Sequence, residues 1–210
     1  MLYLIDSANQ QEIDNALKIG VSGVTANPTL YLSEKRSFYD FLEYNNQFSS
    51  FLTAEVIIYT ESQAEQEIKK IMEISSNIII KLNYSFEGLN LTRKLKEKGI
   101  KVAMTLIFDV NQAMLAINAG VDFLFLFISR NEEIGEDGLE FVRLTSKIIK
   151  EKKYNVQVVA SSIRNVYQLR QVSLYADYVA SPYKLIRQSF ENTLTQEGIT
   201  TFTNDMQGVK

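Results

Sequence analysis

The 210-residue sequence predicts an α/β chain folded as a (β/α)8 TIM barrel with an additional C-terminal helix. Three observations carry that expectation. Short apolar runs alternate with helix-patterned segments from end to end, the signature of βαβ units on a parallel sheet. Eight such units occur, the number that closes a barrel. No linker rich in Pro, Gly or Ser interrupts them, so residues 1–210 read as one domain. The length is at the small end for a barrel and demands short loops. A doubly wound open sheet is the competing topology. The chain has no Gly-x-Gly-x-x-Gly or Walker-type loop, which weakens a nucleotide-binding reading.

The expected strands are residues 2–6, 23–25, 53–58, 77–82, 102–106, 123–127, 156–160 and 178–180. The fourth is the clearest, because Ile78-Ile79-Ile80 is unbroken by a polar residue, as in a strand buried on both faces. In the sixth, period-2 alternation puts Phe123, Phe125 and Phe127 on one face. Helical patterns cover residues 10–19, 38–48, 62–74, 87–98, 111–119, 139–152, 165–172 and 183–193. The sixth of these shows the period plainly, with Leu139, Val142, Ile148 and Ile149 on one stripe. A last helical pattern covers residues 200–206.

Composition excludes whole classes of chemistry. The chain has no His and no Cys, so a Ser-His-Asp triad, a thiolate nucleophile and a His- or Cys-based zinc site cannot be built. No carboxylate cluster demands a metal, and no cofactor is expected. A net charge of −3 gives no electrostatic reason for a nucleic-acid or anionic-membrane partner. The longest apolar stretch, residues 123–128, is far too short to span a bilayer. The first residues, Met1-Leu2-Tyr3-Leu4-Ile5-Asp6, lack the basic n-region and cleavage site of a signal peptide, and the expected location is the cytoplasm.

In a barrel, catalytic groups stand at the C-terminal ends of the strands. The polar residues there are Asp6 after the first, Thr25, Asn27 and Thr29 after the second, and Glu55 in the third. Lys81 closes the fourth, Thr105 lies near the end of the fifth, Phe127 and Arg130 close the sixth, and Ser162 and Arg164 follow the seventh. Each has a plain alternative. A strand-end lysine is usually solvated. Asp6 has the alternative of capping a helix, but Ser7-Ala8-Asn9-Gln10 offers Ser7 as the cap and leaves Asp6 free. Asn27 precedes Pro28 and fits a simple extended turn. Glu55 faces either outward or inward, and facing the core unpaired would be expensive. Arg164 is read in the first turn of a helix that begins near Ser162, where a cation opposes the helix dipole. A bound phosphate would resolve that conflict, with Ser162, Arg164 and Arg130 as a clamp. A surface ion pair is the alternative.

These segments together resemble the transaldolase family, in particular the short-chain branch that includes the fructose-6-phosphate aldolases. The resemblance rests on Leu4-Ile5-Asp6-Ser7, Gly23-Val24-Thr25-Ala26-Asn27-Pro28-Thr29, Ile79-Ile80-Lys81-Leu82, Met104-Thr105-Leu106-Ile107-Phe108 and Ala160-Ser161-Ser162-Ile163-Arg164-Asn165, in family order and spacing. It implies a pentose phosphate pathway transaldolase that moves a dihydroxyacetone unit from fructose 6-phosphate to erythrose 4-phosphate. Lys81 would form the Schiff base and Asp6 would shuttle the substrate hydroxyl proton. Glu55 and Thr105 would hold the water of carbinolamine formation, and Asn27, with Thr25 beside it, would bind the donor fragment. Arg130, Ser162 and Arg164 would hold a phosphate. It also implies a homo-oligomer, pentamer or decamer, in which the extension 197–210 packs on a neighbouring subunit.

Two positions separate the branches. Glu55 and Phe127 match transaldolases, where the aldolases carry Gln and Tyr. One position departs from the family. Phe125 stands where the sixth strand usually carries a small residue, so a narrower pocket or a different donor is expected. The competing functions are an aldolase that releases the free ketone, and a barrel without turnover that binds sugar phosphates.

Overall fold

The structure, a computed structural model, describes residues 1–209. Its elements in chain order are β1 (Leu2–Asp6), α1 (Gln10–Lys18), β2 (Gly23–Thr25), α2 (Pro28–Ser33), α3 (Phe38–Asn45), β3 (Thr53–Val56), α4 (Glu61–Ile74), β4 (Ile79–Asn83), α5 (Phe86–Glu97) and β5 (Val102–Ile107). They continue with α6 (Val110–Ala119), β6 (Phe123–Phe127), α7 (Ser129–Glu132), α8 (Gly138–Lys152), β7 (Gln157–Ser161), α9 (Val166–Val172), β8 (Tyr178–Ser181), α10 (Tyr183–Gln188) and α11 (Thr193–Gly208).

The eight strands form one sheet in the order β2-β1-β8-β7-β6-β5-β4-β3, with every pairing parallel. Its two ends meet. The Val24 amide donates to the Phe51 carbonyl at 2.8 Å, and Val24 bridges Leu52. The result is a nearly closed (β/α)8 barrel, not the open doubly wound sheet. Closure gives every strand two buried faces. Ile5, Val24, Ala54, Ile80, Met104, Leu126 and Ala160 face the helices, while Leu4, Phe51, Ile79, Ala103, Phe123, Phe125, Val159 and Ala180 fill the interior. That is why the strands read as continuous apolar runs. Gly23 is required where it stands, since a Cβ there would lie 2.5 Å from Phe51 Cβ.

Local chemistry corrects several expected boundaries. Ser7 does not cap α1. Asn9 does, accepting from the Glu12 amide at 3.2 Å, while Ser7 Oγ donates to Glu12 Oε2 at 2.6 Å. The expected helix 183–193 stops at Gln188, and Asn192 caps a new helix, α11. Two short helices are additional. Pro28 opens α2 at a position where its missing N–H costs nothing, behind the Asn27 cap. The other, α7, is a single turn. None of the residues of α11 is buried, and Leu194, Ile199, Phe202 and Met206 are more than half exposed (77 %, 54 %, 73 % and 51 %). Lys210, the last residue of the expected extension, lies outside the described residues. Among the described residues no helix is long and apolar enough to cross a membrane.

Candidate active site

Interior side chains alternate along each strand, so the parity that places Leu4, Gly23, Phe51 and Ile79 inside also places Asp6, Thr25, Glu55 and Lys81 inside, nearer the C-terminal mouth. A cavity of about 300 Å³ opens there. All eleven residues singled out at the strand ends line it: Asp6, Thr25, Asn27, Thr29, Glu55, Lys81, Thr105, Phe127, Arg130, Ser162 and Arg164. Glu55 therefore faces inward, which settles the orientation left open above.

Lys81 is 4 % exposed and lies within β4, which runs on to Asn83, so it is not a solvated strand terminator. Its Nζ is 2.8 Å from Glu55 Oε2 and donates to the Ala26 carbonyl at 2.7 Å and to Thr25 Oγ1 at 3.3 Å. An ammonium has three donors, and each has a partner here. Thr25 Oγ1 is in turn 2.8 Å from Thr53 Oγ1. Glu55 and Lys81 are directly paired residues of β3 and β4, so the sheet register itself fixes this ion pair. The Phe125 ring also approaches the amine, with its centroid 5.3 Å from Nζ.

Asp6 ends β1 beside this pair. Burial pushes its carboxyl up from 3.8 to about 6, with Lys81 pulling down and Glu55 pushing up. The Tyr31 hydroxyl on α2 is buried and has no hydrogen-bond partner among the described residues. Burial and the charges of Glu55 and Asp6 push that phenol upward.

The mouth is built differently from the expectation. Ser162 has φ +57°, a left-handed conformation that stops a helix from starting there. Helix α9 begins only at Val166, capped by Asn165, so Arg164 precedes the helix and does not lie in its first turn. Its guanidinium pairs instead with Glu133. Arg130 stands on α7 with its guanidinium 5.4 Å from the Phe127 ring. Buried Gln168, which the sequence did not single out, holds the two segments together. Its Oε1 accepts from the Arg164 amide at 2.8 Å, and its Nε2 donates to Ser129 Oγ at 2.9 Å and Glu132 Oε2 at 2.7 Å. Ser129 closes the seam, its amide donating to the Ser162 carbonyl at 3.0 Å. Leu106, also lining the cavity, has φ +60° where the β5–β6 register shifts. Two non-glycine residues in this region at one cavity are strain that the surrounding packing must hold.

The arrangement puts a buried lysine amine, a carboxylate at hydrogen-bond distance, a second carboxylate of raised affinity for protons and two arginines around one small space. A profile described as Transaldolase/Fructose-6-phosphate aldolase matches residues 3–210. A probable transaldolase of Geobacillus thermodenitrificans is 36 % identical over 208 residues, covering 98 % of each chain. A probable transaldolase of Clostridioides difficile is 35 % identical over 214 residues, covering 99 % of this chain and 98 % of its own. One from Agathobacter rectalis is 36 % identical over 217 residues, covering 100 % and 99 %.

Proposed function

The chain belongs to the transaldolase/fructose-6-phosphate aldolase family, and from that premise we propose that it transfers a three-carbon ketone unit between sugar phosphates through a Schiff base on Lys81. The observation that carries the reading is the Lys81 amine, 4 % exposed and 2.8 Å from the Glu55 carboxylate inside the cavity. Fructose 6-phosphate as donor of dihydroxyacetone and erythrose 4-phosphate as acceptor are the assay pair.

Glu55 takes a proton from the ammonium, and the freed amine pair attacks the ketone carbon of the donor. Water leaves the carbinolamine, with Thr105 and Glu55 holding it. Asp6 removes the proton of the C4 hydroxyl, the C3–C4 bond breaks, and its electron pair enters the iminium to give an enamine. The aldehyde fragment departs. An aldose phosphate takes its place, the enamine carbon attacks its carbonyl, Asp6 returns the proton, and water releases the product. Arg130, Ser162 and Arg164 hold the phosphate. The Arg164–Glu133 pair is no obstacle, because both side chains are about half exposed and exposed pairs contribute only about 0–1 kcal/mol.

Borohydride reduction in fructose 6-phosphate tests the reading. A mass gain located on Lys81 supports it, and the absence of any adduct overturns it. Omitting erythrose 4-phosphate separates transfer from cleavage, since an aldolase turns over without it. The two branch positions give a sharper test. Phe127 offers no hydroxyl to bring water to the enamine, whereas tyrosine does. Glu55→Gln with Phe127→Tyr is expected to raise release of the free ketone relative to transfer. An unchanged partition between water and acceptor would refute these roles.

A homo-oligomer built through α11 belongs to the same proposal. Four large apolar side chains of that helix are more than half exposed on one chain, which a neighbouring copy would cover. Sedimentation velocity is expected to give a pentamer or decamer, and a monomer at micromolar concentration would count against it.

A further inference from the structure

The described residues form a second recess at the opposite end of the barrel from the Lys81 cavity, where α8 faces the start of β7 and the connection from α9 to β8. Its volume is about 630 Å³, within the span of roughly 300–1,000 Å³ common to small-molecule sites. Buried Ile149 and Val158 give it an apolar floor.

Four cations line this recess, Arg143, Lys147, Lys150 and Lys153, against one carboxylate, Asp177. The excess is local, since the whole chain carries a net charge of −3. Arg143, Lys147 and Lys150 lie three or four positions apart on α8, so they form one stripe with neighbours about 5–6 Å apart. Arg143 and Lys147 have exposed partners on the same helix, Glu140 and Glu151, neither of which lines the recess. Lys150 and Lys153 have no ion pair among the described residues. Ser146, which also lines the recess, has a buried Oγ with no hydrogen-bond partner among the described residues. An unpaired buried hydroxyl is costly, and an acceptor bound beside it would remove the cost.

Cations repeated at one-turn spacing suit a chain of phosphates, because a single phosphate would engage only one or two of them. The C-terminal end of α8 disfavours anions, which places the phosphates on Arg143, Lys147 and Lys150 rather than beyond Lys152. That leaves an uncharged group for the far end. Tyr154 and Asn155 stand there, a partly exposed ring that can stack and an amide that both donates and accepts, as a heterocyclic base requires. Asp177 Oδ2 accepts from the Val158 amide at 2.7 Å, and Oδ1 is left to accept from a sugar hydroxyl.

We propose that this recess binds a nucleoside polyphosphate, with the base at Tyr154, the sugar at Asp177 and the phosphates along Arg143, Lys147 and Lys150. No residue of the Lys81 cavity takes part, so the inference stands apart from the Schiff-base reading.

Calorimetric titration of the native chain with ATP, and separately with inorganic triphosphate, tests it. ATP is expected to bind once per chain and at least tenfold more tightly than triphosphate. Lys147→Gln with Lys150→Gln is expected to weaken both probes by about tenfold or more. Tyr154→Ser is expected to weaken ATP alone. All three side chains are exposed, so the variants should fold as the native chain does. No ATP binding at millimolar concentration overturns the site, as does undiminished ATP affinity in the lysine double variant. Triphosphate binding as tightly as ATP, or a Tyr154→Ser chain with native ATP affinity, reduces the recess to a plain basic patch and overturns the nucleoside assignment.

Discussion

Replacing Lys81 by methionine is expected to lower transfer by on the order of a thousandfold or more and to abolish the borohydride adduct. Methionine fills nearly the same volume but brings no electron pair that can form an imine. The interior holds no substitute among the described residues, because the chain has no cysteine or histidine and Lys81 is the one lysine of the described residues that lines the pocket. Stability supplies an independent readout. The ammonium is the partner of Glu55, and removing one member of a buried pair costs roughly 3–5 kcal/mol when the other stays charged. The open mouth makes that an upper bound here. Adding Glu55→Gln to Lys81→Met removes the orphaned charge, so the double variant is expected to melt higher than Lys81→Met alone while staying inactive. A Lys81→Met enzyme with near-native turnover would end the covalent mechanism.

The barrel was legible because closure buries both faces of each strand, and that leaves long apolar runs in the sequence. The same closure hides the parity of polar residues. Ala54 and Val56 point at the helices and Glu55 into the interior, yet all three sit in one apolar context. Only register resolves it, since Glu55 is paired with Lys81. Asn27-Pro28 did carry the signal of a helix start, a cap followed by proline at the first helical position, but it also fits a turn. Ser162 and Leu106 had no such signal. Neither residue type favours a left-handed backbone, and tertiary packing imposes it. That is why Arg164 was set in a helix it precedes. Gln168 was invisible for another reason. Its partners lie on α7 and on the turn before α9, as much as 39 positions away in the chain.

Asp6→Asn is expected to lower transfer by about 10²–10⁴-fold while leaving the Lys81 adduct in place, because imine formation needs the amine and bond cleavage needs the base. Its pH signature distinguishes it from general damage. Burial raises the Asp6 carboxyl from 3.8 to about 6, so the native enzyme should lose activity as pH falls through about 6 and the base becomes protonated. The asparagine variant has no such group, and its residual rate should lack that acid limb. The stability effect has the opposite sense. A carboxyl of raised pKa is bound to its proton more tightly in the folded chain, so its stabilising contribution is full below 3.8. It is lost as pH rises from 3.8 to about 6, and above that the ionised form costs at most about 3 kcal/mol. Asparagine carries no charge to desolvate. The variant should therefore melt above native at pH 8, with the gap closing towards pH 4. A melting difference that is independent of pH, with an acid limb unchanged in the variant, would assign both effects to another group and remove Asp6 from the proton path.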